Sequence, residues 1–147
     1  MISQTAEYAL RAATYLLSRQ GEIVSRREIA ADTQISTAYL PRVMRALSDA
    51  GVVAAHRGPG GGYAIAADPQ AVTVYDVVTA IEPIRRIEKC PLGLSDHEQL
   101  CPLHAQLDQL AESVERVLRQ TRVIDLVTAA PGQVPTDLRC FFPPPAT

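Results

Sequence analysis

"STAYLPRVMRALSDAGVVAAHRGPGGGYAIAADP", residues 36–69, contains a helix, a stop signal and a hairpin in one run. Ser36 or Thr37 can cap the helix, and Gly51 can end it in the left-handed conformation. With Thr37 as cap, Pro41 falls in the first turn, where its missing N–H costs little. Past Gly51, two β-type runs, residues 52–55 and 63–66, flank "HRGPGGG". Glycines adopt positive φ freely, so the run reads as a hairpin with a flexible tip. A glycine-rich run can also cradle phosphate, but this one lacks the Lys-Ser/Thr pair and helix of a P-loop.

Two more helices are expected upstream. Residues 3–19 carry Ala6, Leu10, Ala13, Leu16 and Leu17 at near-helical spacing, with Ser3 as cap and Gly21 past the end. "SRRE", residues 25–28, reads as a capping box opening a short helix through Ala31. "DTQI" then joins it to the next helix, as in a helix-turn-helix. Three helices followed by a hairpin is the order of a winged helix-turn-helix. The expected fold class is mainly α with a small β-hairpin wing.

Such a unit predicts its own DNA-facing residues. Thr37, Tyr39, Arg42 and Arg45 lie near the N-terminal half of the third helix, the half that enters a major groove. Arg26 and Arg27 open the second helix, where side chains and backbone N–H groups meet phosphate. His56 and Arg57 sit on the wing, placed for a backbone or minor-groove contact. Charge agrees in direction: residues 1–62 carry seven Arg against five acids, and the rest seven Lys or Arg against eleven acids. That imbalance fits a nucleic-acid face without proving one.

Downstream, "TVYDVVTAIEP" reads as a short helix capped by Thr73 with Pro83 past its end. From Pro102 a long helix is expected to about Gln120. Leu103, Leu107, Leu110, Val114, Val117 and Leu118 recur every three or four positions along it. A long helix with one apolar stripe needs a cover, and a second copy of the chain is the favoured one. "RVIDLVTA" reads as a last short helix. "PGQVPTDLRCFFPPPAT" is Pro-rich and reads as a disordered tail, with Cys140 outside any site. The domains expected are a DNA-binding unit at 1–82, a Cys/His loop at 83–104, a dimerisation helix and short helix at 105–130, and a tail at 131–147.

The whole chain has 147 residues, 47% hydrophobic, enough for one core. No apolar run approaches the roughly 20 residues that span a bilayer. The first residues lack a basic n-region and cleavage site, and three cysteines is an odd number, so a reducing cytoplasm is the expected home.

The motifs taken together resemble a family of dimeric winged-helix regulators often called the Rrf-two family. The resemblance rests on "EYALRAATYL", "ISTAYLPRVMRALSDAGVV", "HRGPGGGYAIA" and "VTVYDVVTAIE" and covers roughly residues 1–130. Family wings often carry a second Arg before the Gly pair, where this chain has Pro59 or Gly60. The resemblance implies a homodimer built on the long helix, a palindromic operator in double-stranded DNA, and a sensory site in the loop before that helix. In cluster-binding members this loop reads C-x5-C-x5-C, and in some C-x2-H closes it. Here Cys90 matches the first Cys, with one residue fewer in the span, and Cys101 and His104 match the C-x2-H end. The middle Cys is absent, its place falling near Ser95 or Asp96 beside His97. Glu7 matches a position whose acidic side chain can ligate the neighbouring subunit's cluster.

A cluster needs four ligands, usually thiolates, although His can replace Cys. The candidates are therefore Cys90, Cys101, His104, Glu7 and His97. Two thiolates with His and Glu suit a two-iron cluster, [2Fe-2S], better than a four-iron one, [4Fe-4S]. Three rivals stay open. Zinc could take two Cys and two His, though C-x6-H-x3-C-x2-H is no familiar finger spacing. Cys90 and Cys101 could form a thiol switch. Or both could be inert, with a protein partner as the signal. Catalysis is not expected, because no Asp or Asn can be identified to orient a Cys–His pair.

Overall fold

The computed structural model describes residues 2–89 and 100–127. Its elements are α1 (Gln4–Ser18), α2 (Arg26–Thr33), α3 (Leu40–Asp49), β1 (Val53–His56), β2 (Gly62–Ile65), α4 (Val74–Ile81), α5 (Pro102–Gln120) and α6 (Val123–Val127). This is the mainly helical winged helix-turn-helix that the sequence predicts. The last expected helix is present as α6, and Cys140 and the tail lie outside the described residues.

Helix α1 runs through the centre. Ser3 caps it by accepting from the Ala6 N–H at 3.2 Å. Ala6, Ala9, Ala12 and Ala13 are fully buried, and their small side chains let α3, α4 and α6 close on different sides of one helix. Leu16, Leu17, Ile29, Leu40, Val43, Met44 and Leu47 fill the space between α1, α2 and α3. Truncating such a residue to Ala costs about 2–5 kcal/mol. Tyr15 adds a polar tie: its buried hydroxyl donates to Asp32 Oδ2 at 2.6 Å and accepts from Arg19 Nη1 at 3.2 Å. Burial first, then the bond to Asp32, pushes that phenol above its usual range.

Between α2 and α3 the chain turns through Gln34, a non-glycine residue at φ 55°. Here one expectation is corrected. Neither Ser36 nor Thr37 caps α3, whose N-cap position is Tyr39 and which carries no side-chain cap bond. Residues 36–39 form a separate turn in which the Ser36 carbonyl accepts from the N–H groups of Tyr39 and Leu40, both at 3.0 Å. Pro41 removes the next N–H, so few free donors remain for a cap to serve. Nor is the box at α2 reciprocal: Ser25 accepts from the Glu28 N–H, but the Glu28 carboxylate reaches Arg19 at 3.1 Å.

The wing is an antiparallel pair with Val53 opposite Ile65 and His56 opposite Gly62. Both strands sit one residue nearer the tip than expected. Gly62 makes this possible, because its bare Cα lets the Val24 backbone approach and pair with Tyr63 through two hydrogen bonds of 2.9 and 2.8 Å. Val24 thus anchors the wing beside the start of α2. At α4, Thr73 and Asp76 make a complete capping box.

Helix α5 stands apart from this core. None of its residues is buried, and its main neighbour is α4. Three ties hold it. The Arg119 guanidinium lies 3.4 Å from the centre of the Tyr75 ring. Past its end, the Thr121 carbonyl accepts from the Val74 N–H at 2.8 Å. Asp108 accepts from Arg86 Nε and Nη2 at 2.7 Å each and from the Ile87 N–H at 2.8 Å. Helix α6 then returns to α1 and puts Val123 into the core.

Candidate functional site

The predicted residues fall into two sets. The first is the helix-turn-helix face. Arg26 and Arg27 start α2 and are exposed. Thr37 lies in the turn before α3 rather than in the helix, and it too is exposed. Tyr39, at the N-cap position, is 50% exposed. Arg42 and Arg45 follow one turn apart on the same exposed face, while Leu40, Val43, Met44 and Leu47 bury the other. His56 ends β1 and Arg57 opens the wing tip, both exposed. Arg26, Arg27, Arg42 and Arg57 make no ion pair with a described residue, and Arg45 only a long one of 3.8 Å to Asp49. Cations left unpaired on an exposed helix and wing are available to phosphate oxygens.

The second set is at the start of α5. Cys101 occupies the N-cap position, and its Sγ lies 3.2 Å from His104 Nδ1 in the first turn. Both side chains are partly exposed. His104 thus lies inside the helix expected from Pro102. Cys90 and His97 lie outside the described residues. Glu7 sits in the first turn of α1, its carboxylate paired with Arg11 on the same helix. Among the described residues no three His, Cys, Asp or Glu side chains converge on one point.

Sequence reading missed two features beside these sets. Asp108 follows His104 by one helical turn and clamps the segment that leads to Cys90. Its hydrogen bonds from Arg86, and then from the Ile87 N–H, hold its carboxyl at about 2, below the usual 3.8. The spacing of Asp108 from His104 was visible, but its distant partner was not. Tyr8 lies in the first-helix motif, whose spacing gives no sign of a partner. Its ring meets Tyr39 edge-on, with centroids 6.2 Å apart and planes at 67°.

No helix among the described residues is long and apolar enough to cross a membrane. Comparison with known proteins agrees with the fold. The chain is 31% identical to the HTH-type transcriptional regulator CymR of Bacillus subtilis over 135 residues, covering 90% of this chain and 93% of that protein. It is 29% identical to the HTH-type transcriptional regulator IscR of Cereibacter sphaeroides over 133 residues, 86% of each. Among solved structures, the global cysteine regulator CymR of B. subtilis superposes with a TM-score of 0.74 at 26% identity, covering 88% of this chain and 98% of that one. T. potens IscR gives 0.73 at 23% identity over 96% of each, a likeness of fold. These relatives are transcriptional regulators and not enzymes. Residues 2–129 match the family described as "Iron-dependent Transcriptional regulator", so the chain belongs to the Rrf2 family of helix-turn-helix transcriptional regulators.

Proposed function

We propose that the chain is a homodimeric repressor, acting in the cytoplasm on a palindromic operator in double-stranded DNA, that senses redox, nitric oxide or iron–sulfur status through a [2Fe-2S] cluster. In this reading residues 1–82 bind DNA, 83–104 sense, and 105–130 dimerise. One observation carries it: Cys101 and His104, a soft thiol and an imidazole, converge at the start of the helix whose apolar stripe is open. Sensor and dimer helix would then be one element.

The donor chemistry fits two of the four ligand places. Cys90 would take the third place and His97 or the partner's Glu7 the fourth, Glu7 after leaving Arg11. A cluster bound there would supply a redox-active charge at the joint between α5 and the DNA-binding unit. Asp108, one turn past His104, holds residues 86 and 87 against the same helix. Iron-dependence in the family description, and the IscR relative, support this reading.

The test is anaerobic purification with an absorbance spectrum and iron and sulfide counts. Cys90→Ala and Cys101→Ala should each bleach the visible bands, whereas Cys140→Ala should not. Glu7→Ala and His97→Ala then separate the choices of fourth ligand. A second reading, a Cys90–Cys101 thiol switch, rests on the same Cys101 beside its imidazole. Colourless protein holding zinc or a Cys90–Cys101 disulfide after reconstitution would replace the cluster.

A further inference from the structure

We propose that Tyr8, on α1, is a positioning residue for DNA recognition that acts through Tyr39. The inference rests on the DNA-binding face proposed above. Tyr39 occupies the N-cap position of α3 without a side-chain cap bond, and half of it is exposed. Its backbone is fixed by the turn, since its N–H bonds to the Ser36 carbonyl at 3.0 Å and its carbonyl accepts from Arg42 at 3.1 Å. Nothing in that turn fixes the direction of its ring. The Tyr8 ring does. It meets Tyr39 at 6.2 Å and 67°, the edge-to-face arrangement that aromatic quadrupoles favour.

Tyr8 is itself held. It is half-buried and packs on the core, and the Arg11 guanidinium lies 5.8 Å from its ring centre. Arg11 in turn pairs with Glu7, one turn back on α1. An exposed Tyr at the head of a recognition helix would otherwise sample several rotamers and lose that freedom on binding. The Tyr8 ring restricts it beforehand, so Tyr39 meets a base edge already oriented.

Binding is read by anisotropy on a fluorescent duplex selected from a random pool by the wild-type protein, with an unselected duplex as control. Tyr39→Ala should weaken binding to the selected duplex. Tyr8→Leu should weaken it by roughly three- to ten-fold, the order expected for one aromatic pair. Tyr8→Phe keeps the ring and should bind like wild type. The deciding measurement is the double variant: with Tyr39 already Ala, Tyr8→Leu should cost nothing more, and binding to the unselected duplex should not change with Tyr8. If Tyr8→Leu fails to fold, Tyr8→Met serves the same comparison without a ring. Additive losses, or a loss in Tyr8→Phe equal to that in Tyr8→Leu, would overturn the inference, since Tyr8 would then act by itself. If Tyr39→Ala binds like wild type, it is the proposed DNA-binding face at Tyr39 that fails.

Discussion

A Cβ added at Gly62 would run into the Val24 carbonyl, which is backbone and is held by its own hydrogen bond from Tyr63. Gly62→Ala should therefore break the Val24–Tyr63 bridge and cost on the order of 2 kcal/mol. A lowered thermal midpoint checks this, and an unchanged one would mean the wing is not tied to Val24. Thr14 gives the opposite sign. Its Oγ1 is buried without a hydrogen-bond partner among the described residues. Thr14→Val keeps the shape and removes the orphaned hydroxyl, so it should stabilise the fold by about 1 kcal/mol in denaturant titration. The roles of Gly21 and Gly51 as helix stops were legible in the sequence, because a positive φ has a local signature. That of Gly62 was not, since the atom that excludes a side chain lies 38 residues away in sequence, at Val24.

At the scale of elements, local rules worked where the partner was local. The caps of α1 and α4 and both bounds of α5 follow from Ser3, Thr73, Pro102 and the apolar spacing. They failed at α3, where the tight turn from Ser36 took the place of a cap. They were also silent on Asp108, whose partners Arg86 and Ile87 come from another segment. That clamp makes a pH prediction. The Asp108 carboxyl titrates lower in the folded protein, at about 2 against 3.8. Its contribution is therefore fully present above 3.8 and is lost as pH falls toward about 2. Asp108→Asn should lower the thermal midpoint near neutrality, and the gap from wild type should close through that window. A gap that persists unchanged in acid would show that the charge of Asp108 is not what holds the segment.

At the scale of the whole molecule, α5 presents an uncovered apolar stripe among the described residues. Leu103, Leu107, Leu110 and Val117 are exposed large apolar residues, Leu110 at 61%. With Val114 they are spaced four, three, four and three along the helix, the period of a two-helix seam. Beside them, Ile2, Ile84 and Pro83 line a groove of about 340 Å³ that Leu107, Leu110 and Val114 also border. The sequence disclosed the stripe but not its exposure, because a periodic helix can cover its own domain equally well. Replacing both Leu110 and Val114 with Asp would put charge on the face proposed to meet a second copy, and the proposed dimer should fall to monomers in light scattering. The same variant tests how the dimer serves DNA. Two recognition helices must match half-sites about one helical turn apart, roughly 34 Å. A monomer presents only one α3 and one wing, so it neutralises about half as many phosphates. Its affinity for a two-half-site duplex should fall steeply, and the slope of log affinity against log salt should drop to about half the wild-type value. Because the face made by Arg26, Arg27, Arg42 and Arg57 is untouched, the monomer should still bind a single half-site as one arm of the wild type does. A variant that remains dimeric would place the interface elsewhere, and a monomer with the full salt slope would mean that one copy makes all the phosphate contacts.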